Sequence, residues 1–152
     1  MENNDTISIS GKFILKKFDA DGNLVETREV KNVITNDGKN EVAGLICADQ
    51  ASSYTAFDYI GIGTGTTSAS ATDTALENET DRQAATGTLT TTSVTDDTMQ
   101  LVASFTGINA TITEAGVFNA STGGTMLARQ TFSGIPLTTN DTLEVTYKVQ
   151  VS

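Results

Sequence analysis

The last segment of the chain has the clearest alternation of apolar and polar positions. Residues 143–151 read Leu-Glu-Val-Thr-Tyr-Lys-Val-Gln-Val, so an apolar side chain stands at every second position. A period of two is typical of a strand with one buried face and one solvated face. Sheets with one solvated face are usually antiparallel, so the segment predicts an antiparallel sheet.

Seven other segments predict strands as well. Residues 7–18 place Ile7, Ile9, Phe13 and Leu15 on one face. The turn sequence Asp-Ala-Asp-Gly then leads into a polar return strand over 23–31, which we expect at a sheet edge. The remaining predicted strands cover residues 57–63, 82–95, 99–105, 112–118 and 125–132.

One segment has a helical period instead. Val42, Leu45 and Ile46 form an apolar stripe, and Asn36 or Asp37 can cap its start. This pattern predicts one short helix over about residues 38–48. With about eight strands, the chain is therefore predicted to be mainly β, as an antiparallel β-sandwich or a jelly-roll-like domain.

The length and the N-terminal composition predict a single β domain over residues 7–152, preceded by a flexible polar arm. The arm has neither the basic nor the apolar region of a secretion signal, and no apolar run reaches the roughly 20 residues of a membrane helix. We therefore expect a protein that folds in a cytoplasm, without a membrane partner. The arm consists of Met1, Glu2, Asn3, Asn4, Asp5 and Thr6.

Charge and missing residue types narrow the possible functions. The net charge of −10 disfavours nucleic-acid binding, which requires a basic surface. The chain contains no histidine and a single cysteine, so it can form neither a Ser-His-Asp or Cys-His arrangement nor a structural zinc site. We expect no enzyme activity, no cofactor and no metal. Cys47 follows the apolar stripe of the helix, so we expect a buried structural thiol.

Two short motifs invite a ligand but have better structural interpretations. Residues 61–65, Gly-Ile-Gly-Thr-Gly, follow a predicted strand like a phosphate-binding loop, but no helical period follows them to hold the anion. They are interpreted as a flexible exit from the strand or a place of close approach to a neighbouring subunit. Residues 19–23 resemble the start of a calcium loop, but the glycine comes too early and the closing glutamate is missing. A hairpin turn is the preferred interpretation.

Glu114 is the one charged residue that the pattern places on an apolar face. It shares strand parity with Ile112 and Phe118, so an inward orientation would bury it and require a partner. Arginine can bind a carboxylate through two hydrogen bonds. The hypothesis is a structural ion pair between Glu114 and either Arg82 or Arg129, and the alternative is a solvated strand glutamate.

Four groups of motifs occur in order along the chain: residues 32–38, 59–67 with 71–82, 112–118 with 124–129, and 141–147. Their order and spacing resemble those of small structural proteins of tailed bacteriophages, of the decoration, head-fibre and tail-fibre types. The resemblance extends from about residue 11 to residue 151.

The resemblance implies a component of the virion surface. A self-contained domain of this size favours a capsid decoration or cement protein, and a homotrimer is the expected assembly. The expected partner is the major capsid protein or another virion protein. A tail-fibre or baseplate adaptor is the alternative, and a carbohydrate-binding adhesion module is a different class. The N-terminal arm and the loop over 63–74 are the candidate contact segments; in that loop the candidates are Gly63, Thr64, Gly65, Thr66 and Thr67.

Overall fold

Ten strands and one α-helix make up the computed structural model, which describes residues 5–47 and 49–152. The helix is short, and a single 3-10 turn, Ala51–Ser53, follows it. In chain order the elements are β1 (Ile9–Phe18), β2 (Leu24–Lys31), β3 (Val33–Ile34), α1 (Asn36–Ile46), β4 (Tyr59–Gly63), β5 (Glu79–Ala84), β6 (Thr86–Thr90), β7 (Thr98–Thr106), β8 (Ala110–Phe118), β9 (Met126–Leu137) and β10 (Thr142–Val151).

The strands form two antiparallel sheets of five strands each. Sheet A has the order β2-β1-β10-β7-β6, and sheet B has the order β3-β9-β8-β4-β5. Apolar residues from both sheets form one shared core, so the predicted mainly β class is confirmed and the architecture is that of a β-sandwich. In the described residues no helix is long and apolar enough to cross a membrane.

The alternating apolar residues of the last strand, β10, lie at the centre of this core. Leu143, Val145 and Tyr147 are fully buried in β10, while the residues between them are only half-buried. β10 lies in the middle of sheet A, between β1 and β7, and Phe13 of β1 packs against Tyr147 with ring centroids 5.0 Å apart. Val151, the last apolar residue of the series, is exposed, because the strand there passes the end of the core.

The strand count differs from the predicted eight at two places. The segment over 82–95 was predicted as one strand, but it divides into the end of β5 and the whole of β6, which belong to different sheets. The chain crosses between the sheets at Ala85, whose amide donates to the carbonyl of Asp58 (2.8 Å). The second addition is β3, two residues long, which pairs with β9 just before the helix.

The first hairpin is present, with small changes. β1 begins at Ile9 rather than at Ile7, whose side chain is 78% exposed. In the turn, Gly22 has a φ of 80°, and the carboxylate of Asp19 accepts from the amides of Asp21 and Asn23. The motif is therefore a hairpin turn, and β2 lies at the edge of sheet A as expected.

The helix begins two residues earlier than predicted and buries a different face. Its cap is Thr35, whose hydroxyl accepts from the amide of Gly38 (2.9 Å). The buried positions are Gly38, Glu41 and Gly44, because these allow the helix to lie directly against β9 and the ring of Tyr54. A side chain on Gly38 would place its Cβ 2.7 Å from the carbonyl oxygen of Leu127.

The apolar stripe predicted for the helix is therefore only partly correct. Val42 packs on the core, but Ile46 is 77% exposed. The prediction of a buried Cys47 is wrong, since its thiol is exposed. Both residues lie at the C-terminal end of the helix, where Cys47 is the C-cap.

Candidate functional site

A long loop, residues 64–78, covers part of the outer face of sheet B between β4 and β5. Leu76 of this loop packs with Phe118 and Met126 in a small second cluster, separate from the core between the sheets. β4 and β8 are therefore buried on both faces along most of their length. The loop adds a third layer to the sandwich here.

Glu114 lies beneath this loop and is fully buried. Oε1 of its carboxylate accepts from the backbone amides of Gly65 (3.0 Å) and Asn78 (2.8 Å). Oε2 accepts from the amide of Glu77 (3.0 Å). One carboxylate thus holds both ends of the loop, where the chain leaves β4 and where it approaches β5.

The side-chain direction of Glu114 follows from an irregularity in β8. The pairing of β8 with β9 shifts register between Ile112 and Glu114. Ile112 therefore belongs to the core between the sheets, whereas Glu114 and Phe118 face the loop. The predicted burial of Glu114 is correct, but the shared inward face is wrong, because a bulge reverses the alternation.

Arg129 of β9 is the partner of Glu114. Its Nε and Nη2 both lie 2.9 Å from Oε2 of the glutamate. Glu114 is paired with Thr131, so Arg129 occupies the diagonal position on the same face of the sheet. The guanidinium also donates to Asp73 (2.8 Å) and to the carbonyl of Thr67 (3.1 Å).

The charges around Arg129 stabilise its charged form. Burial acts to lower the pKa of the Arg129 guanidinium, but its hydrogen bonds to Asp73 and Glu114 outweigh burial and raise this pKa above its ordinary value. Glu77 lies 3.7 Å from the same guanidinium and accepts from the amides of Thr66 and Thr67 (2.8 Å each). These amide hydrogen bonds, with that from Thr67 first, lower the pKa of the Glu77 carboxyl.

Arg82 does not contact Glu114. Its guanidinium lies 3.5 Å from the ring centre of Phe118, donates to the carbonyls of Ala120 and Gly123 (2.9 Å each), and pairs with Glu79. Of the two arginines considered for the ion pair, Arg129 is therefore the one that binds the carboxylate. Arg82 instead holds the turn between β8 and β9 against β5.

The glycines of residues 61–65 allow the carboxylate to approach the loop closely. A Cβ on Gly63 or on Gly65 would lie 2.5 or 2.6 Å from Oε1 of Glu114. The expectation that residues 63–67 form an exposed contact segment therefore needs correction. Gly63 ends β4 and is buried, Gly65 is buried, and Thr64 is half-buried, so Thr66 and Thr67 are the exposed members.

The N-terminal arm is described only in part. Met1, Glu2, Asn3 and Asn4 lie outside the described residues, and Asp5 and Thr6 are exposed. Ser8 and Ser152 exchange two backbone hydrogen bonds, of 2.7 and 3.0 Å. The described beginning and end of the chain thus meet at one corner of sheet A.

Sequence reasoning missed the roles of Asp73 and Glu77 in organising the loop. The available signal was their place in a polar loop that also contains adjacent threonines, since a carboxylate commonly accepts hydrogen bonds from nearby amides. Asp73, Glu77 and Arg129 line a shallow cavity of about 270 Å³ together with Thr67 and Ala75. These charged groups already bind one another or backbone amides, so the arrangement positions a loop.

The described residues contain no group of three or more His, Cys, Asp or Glu side chains that could hold a metal ion. None of the family models, curated proteins or solved structures compared with this chain matches it. Function is therefore inferred from the sequence motifs and from the geometry of the anchored loop.

Proposed function

We propose that this chain is a structural protein of a bacteriophage virion, and that it decorates and stabilises the outer surface of the capsid. The observation that carries the proposal is the anchoring of loop 64–78 by the buried Glu114–Arg129 pair. The anchoring holds the exposed Thr66 and Thr67 in one geometry. A loop that is ordered before binding loses little conformational entropy in a contact, which suits a binding surface.

Three of the four segments with the phage resemblance support the proposal because they meet at this loop, and the fourth, residues 141–147, lies in sheet A. The amide of Asn36, at the start of α1, donates to the carbonyl of Ala71 in the loop (2.8 Å). The amide of Thr35 donates to the carbonyl of Leu127 in β9 (2.9 Å). These three motifs therefore form one structural unit on sheet B.

The proposed mechanism is mechanical. Each copy adds buried area across a joint between capsid subunits, through Thr66, Thr67 and the N-terminal arm. Many copies on one particle add their weak contacts, so single contacts need not be strong. A homotrimer on a three-fold axis is the assembly that we propose for this role.

Co-sedimentation with purified capsids of the phage that encodes the chain tests the proposal. We expect the wild type to sediment with capsids, and a Thr66→Lys variant or a chain lacking residues 1–6 to sediment less. The matched control is Thr122→Lys, in the exposed turn between β8 and β9. Binding to isolated tails and not to capsids would overturn decoration in favour of the fibre or baseplate role.

A further inference from the structure

Three lysines form a row across the outer face of sheet A. Lys12 of β1 is paired with Lys31 of β2 on one side and with Lys148 of β10 on the other. Phe13 and Tyr147 are fully buried, so their neighbours Lys12 and Lys148 point away from the core. We call these three residues the lysine row.

The lysine row is unusual for this chain. The protein has only nine lysines and arginines and a net charge of −10. Like charges placed directly opposite each other in a sheet are destabilising, yet here they occur in two consecutive pairs. In the described part of the chain, Lys31 and Lys148 have no carboxylate within salt-bridge distance, while Lys12 pairs with Glu29 (2.9 Å).

Other charged groups on this face do not neutralise the lysine row. Lys16 of β1 is paired with Glu144 of β10, two residues along the strands from the pair formed by Ile14 and Thr146. Asp97, in the loop over 91–97, is already bound: it accepts from the amides of Thr92, Ser93 and Val94 and from the side chains of Thr98 and Gln150. With Glu29 and the adjacent Asp97 both counted, the row keeps an excess of one positive charge.

The lysine row lines a cavity of about 310 Å³. The loop over 91–97 forms one wall, held by a hydrogen bond between the hydroxyls of Thr92 and Thr98 (2.6 Å) and by Gln150, which donates to Ser93 (3.1 Å). Hydroxyl and amide groups of Ser10, Thr92, Thr98 and Gln150 complete the polar lining, and no carboxylate belongs to it. The donors that this lining leaves for a ligand are the three ammonium groups and the hydroxyl of Ser10, because the hydroxyls of Thr92 and Thr98 and the amide of Gln150 already donate within the loop wall.

We infer that this cavity binds a phosphate or sulfate group. Ammonium groups on three adjacent strands can give charge-assisted hydrogen bonds to one oxyanion, and its charge would relieve their mutual repulsion. A nucleic-acid polymer does not fit, because the remaining surface of this acidic protein would repel its backbone. The group can be a free ion or an ester carried by a sugar.

Titration of the isotope-labelled protein by NMR tests the site. We expect inorganic pyrophosphate and sulfate, at millimolar concentration, to cause saturable shifts of the amides of Lys12, Lys31 and Lys148, whereas chloride at equal ionic strength does not. Lys31→Gln and Lys148→Gln should each weaken binding about tenfold, as expected for the loss of one charged hydrogen bond. Lys16→Gln is the matched control, on the same face but outside the cavity, and should bind like the wild type.

Stability without ligand is the second measurement. Lys148→Gln should unfold at the same or a higher temperature than the wild type at low salt, because a like-charge contact is removed. Shifts that chloride reproduces, binding that neither lysine variant weakens, or tighter binding of a short single-stranded DNA would each overturn the inference. A sugar phosphate that binds more tightly than the inorganic ions supports an ester, and equal binding supports the free ion. The experiment needs no capsid, so its result is independent of the proposed virion role.

Discussion

Replacing Glu114 by glutamine tests whether one buried carboxylate holds the loop over 64–78. The side chain keeps its shape but loses its charge. One of its two oxygens becomes an NH2 group, and each oxygen position now faces two donors: Gly65 and Asn78 at Oε1, Glu77 and Arg129 at Oε2. In either orientation of the glutamine amide, its NH2 group therefore faces two other hydrogen-bond donors.

The expected loss of stability is large. Removing one partner of a buried ion pair costs about 3–5 kcal/mol when the other charge remains buried. Here Arg129 would lose Glu114 but keep Asp73, the more distant Glu77 and the carbonyl of Thr67, so the loss should stay within this range. For a domain of this size the loss corresponds to a melting temperature lower by about 6–20 °C.

Urea unfolding followed by circular dichroism measures the loss, and hydrogen exchange locates it. In Glu114→Gln, the amides of Gly65, Glu77 and Asn78 should exchange faster than in the wild type, ahead of the core strands. Glu29→Gln is the matched control: this glutamate is 56% exposed in its contact with Lys12, so its replacement should cost less than about 1 kcal/mol.

A double-mutant cycle with Arg129→Met separates the pair from its surroundings. The double variant should be less destabilised than the sum of the single variants by about 1–3 kcal/mol, since neither charge is then left alone. If Glu114→Gln costs no more than Glu29→Gln and leaves the three amides protected, the carboxylate does not anchor the loop.

Three further predictions follow from the same contacts. Gly65→Ala should destabilise by about 1–3 kcal/mol, because its Cβ would lie 2.6 Å from Oε1 of Glu114, whereas Gly87→Ala, with its nearest contact at 3.4 Å, should be neutral or slightly stabilising in thermal unfolding. Hydrogen bonds, first that from the amide of Val94, lower the pKa of the Asp97 carboxyl, so its contribution to stability is complete above the unfolded pKa and is lost as the pH falls towards the folded one. Asp97→Asn should therefore be less stable at neutral pH and lose less on acidification, and an unchanged acid titration of stability would contradict this. Cys47 should react with a thiol reagent in the folded protein as fast as in urea, and strong protection of the thiol would refute its exposure.

The strands were predictable because period-two alternation reports directly on burial. β10, β7 and β1 each have one face in a single core, and their apolar positions could be recognised in the sequence. The segment over 82–95 was harder, since a threonine-rich run has the same composition in either sheet. Nothing in that run marks Ala85 as the crossing point, which depends on a hydrogen bond to distant Asp58.

The helix and the loop depended on contacts that a local pattern does not contain. The helix packs through Gly38 and Gly44, so backbone approach decided its buried face and left Ile46 outside. The ion pair could be proposed because a charge in an apolar strand needs a partner, and both candidate arginines were found in the sequence. Choosing Arg129 required the register of β8 on β9, which the bulge after Ile112 sets.

The glycine-rich exit from β4 has the chemistry of an anion-binding loop, with the anion supplied by the chain itself. Backbone amides near Gly65 and at the end of the loop point at one carboxylate, as the amides of a phosphate loop point at a phosphate. Because Glu114 occupies those donors, the loop cannot bind an external anion without losing its anchor. An external oxyanion should therefore bind elsewhere, and the lysine row on the opposite sheet, where three ammonium groups share one carboxylate partner, is the site that we propose.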